Sequence, residues 1–182
     1  METVPFDHAE NAYNSGSALV AFDLETTGLN PGTDRIAEIG AVKFDNKGLI
    51  ARFSTLVNPG IPMPPEAGRV NKITDEMLSG KPEIGEVLPD FLRFIGEAAL
   101  IAHNAPFDCG FINAKLETPL PNPVVDTLLV SKRLFPSLQS HSLQNLAASL
   151  GISAVNAHRA EDDARLCMEI FLRCVGKKPS LC

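Results

Sequence analysis

The sequence predicts an α/β fold: a mixed five-stranded sheet, made of an antiparallel meander plus two parallel strands, flanked by helices. Two patterns carry that prediction. Between residues 19 and 57, three runs of strand-like apolar residues are joined by short turns, as in strands that pair antiparallel. Between residues 98 and 175, short apolar runs alternate with segments whose apolar residues recur at helical spacing, the order of strand, crossover helix and parallel strand. A length of 182 residues fits one domain with a core of its own.

Met1–Ser17 is polar and unpatterned and reads as a loose leader, with Phe6 and Tyr13 its only large side chains of note. The body runs over 18–175. Its first strand, Leu19-Val20-Ala21-Phe22-Asp23-Leu24-Glu25, meets the breaker Thr26-Thr27-Gly28, and Asn30-Pro31-Gly32 turns the chain. Arg35–Phe44 is the second strand, Asp45-Asn46-Lys47-Gly48 a hairpin turn, and Leu49–Val57 the third strand. Asn58–Pro65 is too rich in proline for a helix or an inner strand and reads as a surface linker. Thr74 caps a short helix, and Ile84–Ile95 carries Val87, Leu88, Phe91, Leu92 and Ile95 on one helical face. A buried strand over Ala98–Ala102, a helix over Phe107–Leu116 and a strand stub at Val124-Val125 follow. Helices over Thr127–Phe135, Ser142–Leu150 and Ala160–Val175 complete the body, and residues 176–182 read as a frayed tail.

A formal charge of -6 argues against a broad basic surface that grips long nucleic acid, but leaves room for a local site that holds a short end. Cys109, Cys167, Cys174 and Cys182 form no Cys-x-x-Cys pair and follow no secretory signal, so reduced thiols in a cytoplasmic protein are expected. No apolar run reaches membrane-spanning length.

Three acidic segments stand out. On a strand, Asp23 and Glu25 share a face about 6.5–7 Å apart. Two carboxylates so placed repel unless a cation or a proton intervenes, and paired oxygen donors suit magnesium or manganese. Solvated carboxylates at a strand end are the bland alternative. In His103-Asn104-Ala105-Pro106-Phe107-Asp108, Asn104 reads as an N-cap and Pro106 as a first-turn proline, which sets Asp108 at the carboxyl edge of the sheet, where open α/β sheets bind ligands. The alternative for Asp108 is a carboxylate held by the helix dipole. In His158-Arg159-Ala160-Glu161-Asp162-Asp163, His158 lies five residues ahead of an inward acid, placed to accept a proton over a metal cluster; a solvated loop histidine is the alternative. Helix geometry separates the two aspartates. Asp163 aligns with Cys167, Ile170, Phe171 and Cys174, the apolar stripe, and Asp162 with Arg165, Glu169 and Arg173, a stripe expected to face water. Lys132-Arg133 and Arg159 are available to phosphates, though solvation is the default reading of each.

In order and spacing the three segments resemble the DEDDh family of 3′-to-5′ exonucleases, which includes the proofreading subunit of bacterial replicative polymerases. Asp23-Leu24-Glu25-Thr26-Thr27-Gly28, His103–Asp108 and His158–Asp163 match its motifs. Asn58-Pro59-Gly60, Pro64-Pro65-Glu66-Ala67, Ile73-Thr74-Asp75-Glu76-Met77 and Val125-Asp126-Thr127 are also family-like. The resemblance implies a ribonuclease-H-like fold and an exonuclease domain over 18–175. It implies Asp23, Glu25, Asp108, His158 and Asp163 as catalytic residues, the four acids as ligands of two divalent cations, Mg2+ or Mn2+, and Thr26, Leu29, His103 and Asn104 as substrate-binding residues. The substrate would be the 3′ end of single-stranded DNA or RNA, DNA favoured, released as 5′-mononucleotides. Leu29 reads equally well as a base contact or as turn packing.

The charges support such a mechanism. Carboxylates as near as 4 Å repel by about 4 kcal/mol at an effective dielectric of 20, so four together call for cations. His158 would then take the proton of the attacking water. One departure is visible: family members joined to polymerases usually read His-Gly-Ile-Thr where this chain reads Asn71-Lys72-Ile73-Thr74. Association with a polymerase and a homodimer both fit, and a non-catalytic, partner-binding module on the same fold is the alternative function.

Overall fold

The computed structural model describes residues 6–155 and 158–177. Strands β1 (Leu19–Thr26), β2 (Ile36–Asp45) and β3 (Gly48–Leu56) form the meander; β4 (Ala99–Ala102) and β5 (Val124–Asp126) extend the sheet on the other side. The order is β3-β2-β1-β4-β5, with β1 antiparallel to β2 and parallel to β4, and β4 parallel to β5. This is the mixed five-stranded sheet expected, with a ribonuclease-H-like arrangement. The helices are α1 (Phe6–Asn14), α2 (Pro65–Asn71), α3 (Asp75–Leu78), α4 (Ile84–Ile95), α5 (Pro106–Asn113), α6 (Thr127–Leu134), α7 (Leu143–Ser149) and α8 (Ala160–Cys174).

Alternation along β1 divides the core. Val20, Phe22 and Leu24 pack with Val87, Leu88, Phe91 and Ile95 of α4 and Cys109, Phe111 and Ile112 of α5. Leu19 and Ala21 face the other way, onto Cys167 and Phe171 of α8. Asp23 and Glu25 continue that second row, so the strand's own period delivers both carboxylates to the α8 side of the sheet. Cys109, Cys167 and Cys174 are buried free thiols that fill these cores, while Cys182 lies outside the described residues.

Three local expectations need correcting. The segment read as a loose leader carries α1: Phe6, Ala9 and Tyr13 fall on one face, Ala9 is buried, and the two rings pack against Phe171, Tyr13 also reaching Phe44. The proline-rich linker runs into a helix, α2, because Pro65 sits in a first turn, where its missing N–H costs nothing. Asn104 does not cap α5: its φ is 62°, its side chain makes no cap bond, and its backbone N–H donates to Asp126 Oδ1 at 2.9 Å. A short polar side chain tolerates that left-handed turn, which is what swings the chain from β4 into α5. Gly176 N–H donates to Glu10 Oε1, and residues 178–182 of the expected tail lie outside the described residues. No helix among the described residues is long and apolar enough to cross a membrane.

Candidate active site

Four acidic or small positions set the floor of the site. Asp23 pairs across the sheet with Gly40, and Glu25 with Glu38, so all four lie on the face that α8 covers. Gly40 is the place where α8 touches the sheet: a Cβ there would stand 2.1 Å from Ala160 C and from Glu161 N. Only a residue with no side chain lets the helix start come so near. Glu38 then clamps it. Its carboxylate, 3 % exposed, accepts from Arg159 Nη2 at 2.7 Å and Nε at 3.0 Å, and from the Ala160 N–H at 3.2 Å. Arg159 is thus a strut and not a free phosphate contact.

With the helix start held there, Asp163 reaches Asp23 and Glu25, and each of the three offers an oxygen within 4.8 Å of the other two. None of them makes an ion pair among the described residues. Burial is the main cause that pushes Glu25 up to about 8, with Asp163 and Glu38 adding repulsion. Burial likewise raises Asp23 well above the carboxylate range, helped by Asp108, Asp163 and Glu25. Burial raises Asp163 too, against a hydrogen bond from Gln144 Nε2 at 2.7 Å that favours its charge. Oxygen donors that repel one another with no ion pair of their own among the described residues fit a hard divalent ion, which when bound would supply charge neutralisation and Lewis acidity at such a site.

Asp108 is 2 % exposed and stands beside this trio without belonging to it: Leu24 N–H donates to its Oδ1 at 3.0 Å. Burial pushes it up to about 8 against the hydrogen bonds it accepts. His158, at φ 63°, lines one cleft of about 330 Å³ with Asp23, Glu25, Asp163, His103 and Gln144. His103 borders the cleft with both ring nitrogens engaged: Nε2 to the His141 carbonyl at 2.8 Å, Nδ1 to Thr127 Oγ1 at 2.9 Å. The carbonyl can only accept, so Nε2 carries the proton, and burial lowers the ring's tendency to take a second.

A second hollow, of about 410 Å³, opens beyond Glu25 between Leu29, Val70 and Phe107. Leu29 is 83 % exposed at its rim, so turn packing does not account for it. The Thr26 hydroxyl is turned away, donating to Gly28 O at 2.6 Å. A Cβ at Gly28 would sit 2.5 Å from the Asp34 carboxylate, so a larger residue there would have to displace that side chain, which accepts from Asn30 N–H. The Asn71-Lys72 departure has a structural account. Asn71, 2 % exposed, donates from Nδ2 to Thr26 O at 3.3 Å and accepts from Ile73 N–H at 3.0 Å. Lys72 adopts φ 59°, the left-handed conformation that suits the glycine usual in the family.

The last-helix register holds. Asp163 is buried with Cys167, Ile170, Phe171 and Cys174, whereas Asp162 pairs with Arg165 at 2.8 Å and accepts from Val155 N–H. That second stripe is knitted together rather than open to water, since Arg165 also pairs with Glu169 and reaches Ser153 O. Sequence reasoning missed Glu38, Gly40 and Gln144. The first two left a trace: an acid and a glycine two apart interrupt the apolar run Ile36–Val42 of the second strand, on the parity of Asp23 and Glu25.

Residues 20–171 match the exonuclease family (RNase_T). The DNA polymerase III epsilon subunit of Treponema pallidum is 53 % identical over 160 residues, covering 85 % of this chain and 74 % of that protein. The PolC-type DNA polymerase III of Clostridium perfringens is 45 % identical over 84 % of this chain, but the match spans 11 % of that much longer protein. Exonuclease X, solved in complex with 5′ overhanging duplex DNA, is 27 % identical with a TM-score of 0.71, covering 88 % of this chain and 95 % of that one. Escherichia coli exonuclease I, solved with a dT13 oligonucleotide, shares the fold at 20 % identity and a TM-score of 0.72 over 87 % of this chain and 40 % of its own. With a family match over residues 20–171 and a relative 53 % identical over 85 % of the chain, the chain belongs to the exonuclease family.

Proposed function

We propose that the chain is a 3′-to-5′ exonuclease that releases 5′-mononucleotides from single-stranded ends, DNA before RNA, with two divalent cations, magnesium or manganese. The observation that carries the reading is the joining of Asp23, Glu25, Asp163 and His158 in one cleft, continuous through Glu25 with the apolar hollow under Leu29. A terminal base fits the hollow against Leu29, Val70 and Phe107, and its phosphodiester then lies over the carboxylates. Asp23, Glu25 and Asp163, with Asp108 beside them, would hold the cations, which neutralise the phosphate and activate water when bound. His158 is the base that takes the attacking water's proton, and the clamp of Arg159 on Glu38 keeps it over the cleft. Asn71 steadies the Thr26 backbone at the floor of the hollow. Thr26, Leu29, His103 and Asn104 are assigned to the substrate side, His103 and Asn104 by shaping the cleft wall.

The relatives named as DNA polymerase III proteins support a replicative polymerase as partner, and their class together with buried free thiols supports a cytoplasmic setting. The test is digestion of matched single-stranded DNA, duplex DNA, RNA and dinucleotides in manganese. The proposal expects the single-stranded DNA to shorten one nucleotide at a time from its 3′ end and fastest of the four. Faster loss of RNA or dinucleotides would reassign the substrate, and internal cleavage would overturn the exonuclease reading.

A further inference from the structure

We infer that Gln144 is a positioning residue of the carboxylate site, holding Asp163 in the attitude in which it shares a cation with Asp23 and Glu25; this rests on the cation reading above. Gln144 is carried by α7, which docks on α8 through Leu146 and Ala147 against Leu166, Ile170 and Cys174. Amide and carboxylate therefore ride on one packed unit. Nε2 donates to Asp163 Oδ1 at 2.7 Å. The amide cannot be turned over, since its oxygen would then face a carboxylate oxygen and two acceptors would repel. The bond takes one Asp163 oxygen and fixes the carboxylate plane.

The other end of the amide carries the second observation. Gln144 Oε1 is buried and has no partner among the described residues. A buried acceptor without a donor is unfavourable, so the side chain is not placed there for its own stability. Its engagement among the described residues is with Asp163, and it lines the same cleft as Asp23, Glu25 and His158. A neutral donor is also the right chemistry. It steers a carboxylate without the positive charge that would displace a cation, and partners that orient metal ligands in this way typically govern affinity by about 10- to 100-fold.

The 182-residue chain and its Gln144→Met variant are compared by melting temperature across a manganese titration, with isothermal calorimetry of manganese alone as a second readout. Methionine keeps the length and loses the donor. The inference expects the variant to fold and to need about 10- to 100-fold more manganese for the half-maximal shift. Gln144→Asn keeps the amide but falls one methylene short of Asp163, and is expected to weaken manganese in the same direction. High manganese should restore the variants' response, which a purely structural role would not produce. A parent that responds to manganese while both variants respond at the same midpoint overturns this inference and leaves the cation reading standing. A parent with no manganese response overturns both.

Discussion

Replacing Gly40 with alanine probes the packing on which the site depends. The new Cβ would meet Ala160 C and Glu161 N at 2.1 Å, and ordinary contact begins at 3.4 Å, so the two backbones must part by about 1.3 Å. Neither neighbour is a flexible side-chain tip. The start of α8 has to move, and His158 and Asp163 lie within a turn of that point. Overpacking of this kind costs roughly 1–3 kcal/mol, a fall in Tm of roughly 2–12 °C for a domain of this size. Displacement by about 1 Å of groups that act on a reacting bond costs on the order of 10²-fold in rate. Turnover on a labelled single strand, measured where circular dichroism shows the variant folded, should therefore fall far more than the folded fraction. Parent-like turnover and Tm in Gly40→Ala would refute the claim that the α8–β2 contact positions the site.

Three further outcomes follow from the same geometry. With a chelator present, Glu25 and Asp108 hold protons in the folded protein up to about pH 8 that the unfolded chain gives up near 4.5 and 3.8, so Tm should fall as pH rises from 5 to 8. Millimolar manganese should remove that fall, and a flat profile in the chelator would contradict the raised carboxyls. His158→Ala should lose about 10²- to 10⁴-fold in turnover while keeping the manganese-induced rise in Tm; unchanged turnover would make His158 a bystander. Asp163→Asn should abolish turnover and weaken manganese binding, and Asp162→Asn should spare turnover while losing stability through the Arg165 pair, the reverse pattern counting against the helix register.

What sequence reading reached and what it missed divide along a physical line. Asp23 and Glu25 were legible because a strand's period fixes their common face, and Asp163 because a helix stripe distinguishes it from Asp162. Both are local rules. Helix α1 was missed because Phe6, Ala9 and Tyr13 make a helix face only when Phe44 and Phe171 are there to receive it. Arg159 looked solvated for the same reason: its partner Glu38 is 121 residues away. Gln144 stands in a polar stretch at a helix start, and its meaning lies in the carboxylate 19 residues on. That paired acids suit a hard cation could be argued from composition and spacing, but the hydrogen bond that Asp108 Oδ1 accepts from the Leu24 N–H could not, since it joins residues 84 positions apart.

The most direct measurement is the fate of a single strand of DNA labelled on its 3′-terminal nucleotide, incubated with the protein first in a chelator and then in millimolar manganese. The label should stay with the strand in the chelator and leave as a 5′-mononucleotide once manganese is added, with no longer labelled fragment at early times. Release in the chelator, or a labelled oligonucleotide or 3′-phosphate as the first product, would contradict a cation-dependent exonuclease at Asp23, Glu25 and Asp163.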